Sequence, residues 1–253
     1  MTDRLAFSST GAAGPRIALL HGWGWDGRLL SPLVQALGER CRVVQPDLPG
    51  YGHNRDRTCS GFDDCVEQLM QAVQDVDVVV GWSLGGLLAM SWAARVPLRR
   101  LVLIGASARF TQAADWPHGM TRERFDAFSG DVDEHPMTAR KRFAALATVG
   151  GVEARVARSA MAVLIGSEPD PSPVALKQGL EWLRDQDLRP RIAGLRCDVM
   201  HLHGGQDHVI AAASAEASAG IVNAHWVCVP GAAHLPWLQG GLTELCEWMS
   251  GNG

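Results

Sequence analysis

The 253-residue sequence lacks the features that mark membrane, nucleic-acid-binding or exported proteins. Its uncharged run Val78–Ala94 is shorter than the roughly 20 residues that a bilayer requires, and glycines interrupt it. A net charge of -4 argues against general binding to nucleic acid. The first residues, MTDRLAFSSTGAAG, show no basic segment followed by an apolar one. We therefore expect neither a membrane nor a nucleic acid as partner, and a cytoplasmic location.

Cysteines at metal-binding or disulfide spacing are also missing. The six cysteines are scattered and none forms a C-x-x-C motif, while Cys41, Cys197 and Cys228 lie in strand-like runs. Neither a disulfide framework nor a zinc knuckle is predicted.

Short β-rich runs that alternate with helical ones predict the fold. The runs are RIALLHG, CRVVQPD, DVVVGWS, RRLVLIGAS, CDVMHLHGG and HWVCVPG. This alternation is typical of an α/β fold with a mostly parallel central sheet and helices on both faces. It stops between Phe110 and Arg184. We predict a core of residues 1–109 and 185–253 and a helical lid of residues 110–184, inserted after the strand that ends at Ile104.

The stretch VVVGWSLGGLLA, Val78–Ala89, contains a Gly-x-Ser-x-Gly pentapeptide between a predicted buried strand and a predicted helix. The pentapeptide alone is weak evidence, because glycine is abundant in this chain. Strand, sharp turn and helix together are typical of a nucleophile elbow, which places the serine in strained backbone at the tip. Gly81 and Gly85 then leave room that side chains would fill. We predict Ser83 as a catalytic nucleophile.

A serine nucleophile needs a histidine base that a carboxylate orients. In enzymes with this elbow the chain order is serine, acid, histidine. Asp207 follows the strand CDVMHLHGG and His234 follows the strand HWVCVPG, so both would lie at the carboxyl edge of the sheet. Asp207 could instead be a turn aspartate, whereas Asp77 lies at the wrong end of its strand. We predict the catalytic triad Ser83, Asp207 and His234.

The histidines of HLHGGQDH allow a different hypothesis. His201, His203, Asp207 and His208 resemble a zinc-binding pattern, but the spacing is longer and other ligand segments are not evident. We favour packed core positions for His201 and His203. No metal and no cofactor are predicted.

Backbone donors for an oxyanion are predicted on both sides of the nucleophile. The N–H of Leu84 follows Ser83 directly, and the loop LLHGWGWDG supplies the N–H of Trp23. The Trp23 ring would also line an acyl pocket. His21 shapes this loop and is not predicted as a base. Trp25 is equally compatible with simple aromatic packing.

Six stretches together resemble the pimeloyl-[acyl-carrier protein] methyl ester esterases of biotin synthesis, carboxylesterases of the α/β-hydrolase superfamily. They are LLHGWGWDGRLL, DLPGYGHN, GWSLGGLLA, FTQAADWPHG, RFAALATVGG and GAAHLPW. The resemblance implies an α/β-hydrolase fold with a lid, and a lid segment that contacts the acyl chain through Phe143, Ala144, Ala145, Leu146 and Ala147. It also implies Ser83, Leu84 and Trp23 as substrate contacts. His53 and Asn54 depart from the family, where a serine is usual.

The family's substrate travels on a small acidic carrier protein, which implies a basic docking surface on the lid. The candidates are Arg140, Lys141, Arg142, Arg155 and Arg158. A solvated helix surface with acidic neighbours such as Asp133 and Glu134 is the alternative.

The expected activity is a serine carboxylesterase that hydrolyses the methyl ester of pimeloyl-acyl-carrier protein to methanol and the free acid. Expected partners are the acyl-carrier protein and small-molecule esters, and the expected state is a monomer. A general short-chain esterase or a C–C bond hydrolase on the same triad is an alternative. A non-enzymatic binding protein of the same fold is a further one.

Overall fold

The computed structural model describes residues 4–167 and 169–251. Residues 1–3 and 252–253 of the predicted core, and residue 168 of the predicted lid, lie outside the described residues. The described residues form one seven-stranded sheet in the order β1-β3-β2-β4-β5-β6-β7. Its strands are β1 (Phe7–Thr10), β2 (Arg16–Leu20), β3 (Arg42–Pro46), β4 (Val78–Trp82), β5 (Arg100–Ile104), β6 (Asp198–Gly204) and β7 (His225–Val229).

Strands β2 to β7 run parallel, and only β1 pairs with its neighbour β3 in the antiparallel direction, so the predicted α/β class is confirmed. Each predicted β-rich run contains one of these six parallel strands. Every residue of the central strand β4 is buried, because helices cover both faces of the sheet. No local pattern predicts β1, since all four of its residues are exposed and it carries no hydrophobic pattern.

Helices of the core pack around this sheet. They are α1 (Ser31–Gly38), α2 (Phe62–Ala72), α3 (Leu84–Ala93), α8 (Arg189–Ile192), α9 (Ala212–Ile221) and α10 (Gly241–Met249). Helix α1 contacts α10, α3 contacts both α2 and α8, and α8 contacts α9. Within the described ranges, no helix is both long and apolar enough to span a bilayer.

Of the five helices that the described chain has between β5 and β6, all but α8 lie in the segment predicted to be a lid, with α7 ending one residue beyond it. These four are α4 (Arg122–Glu134), α5 (Pro136–Thr148), α6 (Ala154–Leu164) and α7 (Pro173–Asp185). Helix α4 packs against α5 and α7, and α5 packs against α6. The boundaries of the lid at residues 110 and 184, and its function as a lid, stay predictions.

The two ends of this helical segment meet at the core. The N–H of Leu188 donates to the carbonyl of Ala108 at 2.9 Å, and Arg109 Nη1 lies 2.8 Å from Asp187 Oδ2. Hydrogen bonds from Arg189, assisted by Arg109, lower the pKa of Asp187 to about 2. The carboxylate is therefore ionised, and the ion pair ties the two ends together.

Close packing of α3 against β2 sets the first expected outcome. A Cβ at Gly85 would lie 2.4 Å from the carbonyl oxygen of Leu20 and 2.5 Å from that of His21. We expect Gly85→Ala to lower the free energy of unfolding by roughly 1–3 kcal/mol, because backbone atoms must move. The matched control is Gly220→Ala on α9, where no atom of the described residues lies within 4 Å of the added Cβ. In urea unfolding, we expect this control to raise the free energy of unfolding by about 0.5–1 kcal/mol, because alanine has a higher helix propensity than glycine. Equal stability of the two variants would contradict this account of the packing.

Candidate active site

Ser83 lies at the tip of the turn between β4 and α3. Its backbone has φ 56° and ψ -118°, a conformation that non-glycine residues rarely adopt. A Cβ at Gly81 would lie 2.3 Å from the carbonyl oxygen of Gly85, so the turn closes only with glycine there. The N–H of Ser83 donates to the carbonyl of Ile104 at 2.9 Å, which fixes the turn to the end of β5. Ser83 is 5% exposed.

Asp207 and His234 follow β6 and β7, at the same edge of the sheet. Nδ1 of His234 lies 2.7 Å from Oδ2 of Asp207. The other carboxylate oxygen accepts hydrogen bonds from the N–H groups of Val209 at 2.8 Å and Ile210 at 3.0 Å. Burial by itself raises the pKa of Asp207, but the imidazole of His234 and the hydrogen bonds outweigh burial, and the pKa lies below its ordinary value. Asp207 is therefore a buried carboxylate that orients His234.

His234 is held by contacts on several sides. Its N–H donates to the carbonyl of Ala147 at the end of α5, at 3.0 Å, and its carbonyl accepts from Nε1 of Trp82 at 2.9 Å. Gly105 has φ 51°, and a Cβ there would lie 3.1 Å from the imidazole Nδ1. Nε2 is buried and has no hydrogen-bond partner among the described residues. With Nδ1 bound to Asp207, Nε2 is the atom that could accept a proton from Ser83.

His203 stabilises the turn that holds Asp207. Its Nε2 lies 3.0 Å from the carbonyl of Ile210 and 3.5 Å from Oδ2 of Asp207. Its ring stacks on Trp226 with the centroids 5.8 Å apart. Burial lowers the pKa of His203, so the ring is neutral and Nε2 carries the proton that it donates to Ile210. His203 thus fixes the backbone whose N–H groups bind the aspartate.

The zinc hypothesis concerned His201, His203, Asp207 and His208. His201 and His203 are buried in the sheet, whereas His208 is exposed. Among the described residues no three His, Cys, Asp or Glu side chains are grouped in a way that could hold a metal ion.

The loop after β2 packs directly on Ser83. A Cβ at Gly22 would lie 3.1 Å from Cβ of Ser83 and 2.8 Å from the ring of Trp82. In this loop His21 donates from Nδ1 to the carbonyl of Gly22 at 2.9 Å and accepts at Nε2 from the N–H of Leu48 at 2.9 Å. Both ring nitrogens are engaged, so His21 holds the loop and is not available as a base.

The predicted oxyanion donors belong to Trp23 in this loop and to Leu84, the first residue of α3. Both residues are buried. The N–H groups at the start of a helix have no partner within the helix, so that of Leu84 is suited to bind an anion. The oxyanion role of both residues stays a prediction.

Helix α5 covers the site with an aromatic side chain. The ring centroid of Phe143 lies 5.4 Å from that of Trp23 and 5.9 Å from that of His234. Phe128 of α4 completes the cluster at 5.4 Å from Trp23. The sequence did not indicate Phe128 or Trp82, because no local pattern reveals which aromatic side chains meet in space.

Of the five residues expected to contact an acyl chain, Phe143, Ala144 and Ala147 are buried and Leu146 is half-buried. Ala145 is exposed and lines a groove on the outside of α5. Ala145 faces away from Phe143, because positions two apart point to opposite sides of a helix, and acyl contact by all five residues stays a prediction.

The predicted docking residues separate into two groups. Lys141, Arg142, Arg155 and Arg158 are exposed. Lys141 and Arg158 border the same groove of about 320 Å³ between α5 and α6. The acidic neighbour Asp133 pairs with Lys177 at 3.4 Å.

Arg140 is 2% exposed, so its predicted place on the docking surface is wrong. It precedes Phe143 by three residues and Ala144 by four, and it therefore shares their inward face. This helical spacing is the signal that could have identified Arg140 as a buried residue.

Comparison with known proteins places the chain among hydrolases. Residues 17–244 match the profile described as the alpha/beta hydrolase family. The chain is 34% identical over 227 residues to a pimeloyl-[acyl-carrier protein] methyl ester esterase of Xanthomonas oryzae pv. oryzae, covering 89% of this chain and 90% of that protein.

A second relative is the biotin biosynthesis bifunctional protein of Teredinibacter turnerae. It is 30% identical over 238 residues, which are 88% of this chain and 42% of that protein. Among solved structures, an esterase from Exiguobacterium antarcticum superposes with a TM-score of 0.81 at 21% identity, covering 98% of this chain and 94% of the other. At that identity the superposition establishes the fold alone.

The geometry predicts that an activated-serine reagent will label Ser83. A fluorophosphonate should modify the protein once, and Ser83→Ala should abolish the labelling. His234→Ala should slow the labelling by roughly 100-fold or more, because the general base is lost. His208→Ala, which removes an exposed histidine next to Asp207, is the matched control and should label at the normal rate. Undiminished labelling of the His234→Ala variant would contradict the assignment of the base.

Burial of His201 has a consequence for stability at acid pH. Burial lowers the pKa of His201 to about 3 from 6.5. Below about pH 6.5 the unfolded chain therefore takes up a proton that the folded chain cannot, and stability is lost as the pH falls toward 3. We expect His201→Leu to make the free energy of unfolding less dependent on pH between 4 and 6, by on the order of 1 kcal/mol per pH unit.

Urea unfolding at several pH values measures this difference. His225→Leu, a change at an exposed position of β7, is the control and should keep the dependence of the unmodified protein. An unchanged dependence in His201→Leu would mean that His201 is protonated in the folded chain.

Proposed function

The chain belongs to the alpha/beta hydrolase family, and from this membership we propose that it is a serine carboxylesterase that hydrolyses the methyl ester of pimeloyl-acyl-carrier protein in biotin synthesis. The observation that carries the proposal is the buried pair of Asp207 and His234, 2.7 Å apart, beside a strained serine at the same edge of the sheet. The extended similarity to a relative named for this reaction supports the choice of substrate.

In the proposed mechanism, Ser83 Oγ attacks the ester carbonyl carbon while Nε2 of His234 accepts the hydroxyl proton. Asp207 stabilises the imidazolium through the bond to Nδ1. The N–H groups of Trp23 and Leu84 bind the negative oxygen of the tetrahedral intermediate. When the intermediate collapses, the C–O bond to the methoxy group breaks, and His234 gives its proton to the leaving oxygen, so that methanol departs.

Water completes the cycle. His234 removes a proton from water, the hydroxide attacks the acyl carbon, and a second tetrahedral intermediate forms. Its collapse returns Ser83 with its proton and releases the free acid, which ionises at neutral pH. No cofactor takes part in this scheme. The buried nitrogen Nε2 of His234 is the only group that transfers protons in both half-reactions.

Burial of the site determines how the substrate must arrive. Ser83 is 5% exposed and His234 is fully buried beneath Phe143 of α5. We therefore propose that the segment of α4 to α7 acts as a lid that moves before a carrier-bound ester can enter. The aromatic cluster of Trp23, Phe128 and Phe143 would then pack on the methylene chain, each buried CH₂ contributing ~0.8 kcal/mol.

The carrier protein would dock on the exposed cations of α5 and α6. The groove between these helices has an apolar floor that includes Ala162 and Ile165, with Lys141 and Arg158 at its border. An acidic partner would be attracted to these charges, which act mainly on the rate of encounter. The carrier protein as partner, a monomeric state and a cytoplasmic location are parts of this proposal.

A general carboxylesterase acting on small free esters is the second candidate. The burial of Arg140 favours it, because the docking surface loses one of its predicted cations. Under this alternative the exposed arginines are a solvated surface and the triad acts as described.

Hydrolysis of methyl-pimeloyl carrier protein, measured beside a free methyl ester at low and moderate salt, separates the two candidates. We expect efficient cleavage of the carrier substrate that weakens with salt, because screening shortens the reach of the docking charges. Ser83→Ala should abolish both activities, while Ser129→Ala on α4 should leave both unchanged. Efficient cleavage of the free ester alone would contradict the carrier substrate and leave the esterase reaction standing.

The double variant Arg155→Ala/Arg158→Ala tests the docking surface. It should lower kcat/KM for the carrier substrate roughly tenfold at low salt and leave the free ester unaffected, because of the two substrates only the acidic carrier is attracted by these charges. Arg122→Ala/Arg124→Ala removes two exposed arginines of α4 and serves as the matched control. Equal losses in the two double variants would show that overall charge, and not this surface, attracts the carrier.

A further inference from the structure

Three consecutive residues of the loop after β2 are each bound to a different helix of the lid segment. Nε1 of Trp23 donates to the carbonyl of Leu176 on α7 at 2.8 Å. The carbonyl of Gly24 accepts from Nε of Arg140 on α5 at 2.8 Å. Nε1 of Trp25 donates to the carbonyl of Met161 on α6 at 3.2 Å. The loop that packs on Ser83 is thus tied to α5, α6 and α7 at once.

Arg140 provides the charged member of this set. Its Nη1 lies 2.6 Å from Oδ1 of Asp170, in the chain between α6 and α7, and its guanidinium carbon lies 5.7 Å from the ring centroid of Trp25. Transferring a guanidinium out of water is unfavourable unless its N–H groups are satisfied. The contacts to Asp170 and Gly24 satisfy the group in two directions, which fixes its position.

Gly24 is the loop residue whose conformation depends on the position of the Arg140 guanidinium. Its φ of 83° is one that residues with side chains disfavour, and among the described atoms a Cβ there would have only Cγ of Arg140 within 4 Å, at 3.7 Å. Glycine gives the loop freedom to rotate around this point. The hydrogen bond from Arg140 selects one orientation of the Gly24 carbonyl, next to the residue whose N–H is the proposed oxyanion donor.

We infer that Arg140 is a positioning residue that sets the oxyanion loop from the lid, so that the donor N–H of Trp23 is in place only when α5 is seated. The inference rests on the proposed esterase function. It assigns the buried arginine a part in transition-state stabilisation, whereas its exposed neighbours Lys141 and Arg142 face the solvent. Closure of the lid and completion of the anion-binding loop are then one event.

The chemistry of the guanidinium makes the role specific. A planar fork can donate from Nε to Gly24 and from Nη1 to Asp170 in one fixed geometry, whereas the single ammonium of lysine cannot reproduce both bonds. Arg140→Lys should therefore keep the positive charge but lose the fixed geometry of the two hydrogen bonds. If Arg140 only attracted the carrier protein, its replacement by lysine would not lower the activity.

The test compares Arg140→Ala and Arg140→Lys with Arg122→Ala, which removes an exposed arginine of the same segment. With p-nitrophenyl butyrate as substrate, we expect kcat to fall roughly tenfold or more in both Arg140 variants and KM to change less than about threefold. The affinity for a trifluoromethyl ketone that adds to Ser83 should weaken by the same factor as kcat/KM. The Arg122→Ala variant should match the unmodified protein in every measurement.

Hydrogen exchange gives a readout that does not depend on turnover. Amides of residues 21–27 should exchange faster in both Arg140 variants and not in Arg122→Ala. Unchanged kcat, unchanged inhibitor affinity and unchanged exchange in Arg140→Lys would overturn the inference, even where Arg140→Ala fails to fold. A rise in KM with kcat intact would also overturn it. If the unmodified protein lacks Ser83-dependent turnover, the esterase proposal fails, while the exchange experiment still decides whether Arg140 holds the loop.

Discussion

The rest of the site depends on close packing between β4, α3 and the loop after β2. Glycines allow this packing because they have no side chains. Gly81 and Gly85 allow the turn to close, and Gly22 allows the neighbouring loop to lie against Ser83. A side chain at any of these positions would collide with backbone or with the ring of Trp82. The backbone strain at Ser83 persists because these contacts over-determine it. The loops after β6 and β7 bring Asp207 and His234 to the same edge of the sheet as Ser83.

Four buried histidines differ in chemistry because of what their nitrogens contact. His21 uses both nitrogens to hold a loop, and His203 uses one to hold the turn beside Asp207. His201 is held neutral by burial. Only His234 combines a carboxylate on Nδ1 with an Nε2 that has no partner in the described part of the chain. Burial is common to all four histidines, so the proposal of His234 as the base rests on its bond to Asp207 and its unpartnered Nε2.

The sequence could reveal the elements whose signals are local. The strand, turn and helix around Ser83 lie within one stretch, Val78–Ala93, and Asp207 and His234 lie in the loops that follow β6 and β7, so their meeting at one edge follows from parallel topology. The strand β1 was not predicted because its exposed residues carry no pattern. Arg140 was assigned to the surface because adjacent cations look alike in sequence, although consecutive residues of a helix point about 100° apart. Contacts such as Phe128 with Trp23 depend on packing between distant elements, which no short window contains.

The meeting of Ala108 and Leu188 at the base of the helical segment has an evolutionary consequence. Because the two ends are joined by a hydrogen bond of 2.9 Å and an adjacent ion pair, the core needs only that the intervening chain begin and end at this point. Longer, shorter or unrelated helical inserts can be accommodated there without disturbing the sheet. Under the function proposed above, the core then keeps the proposed triad in place, while changes confined to the insert alter which acyl groups and carriers are accepted.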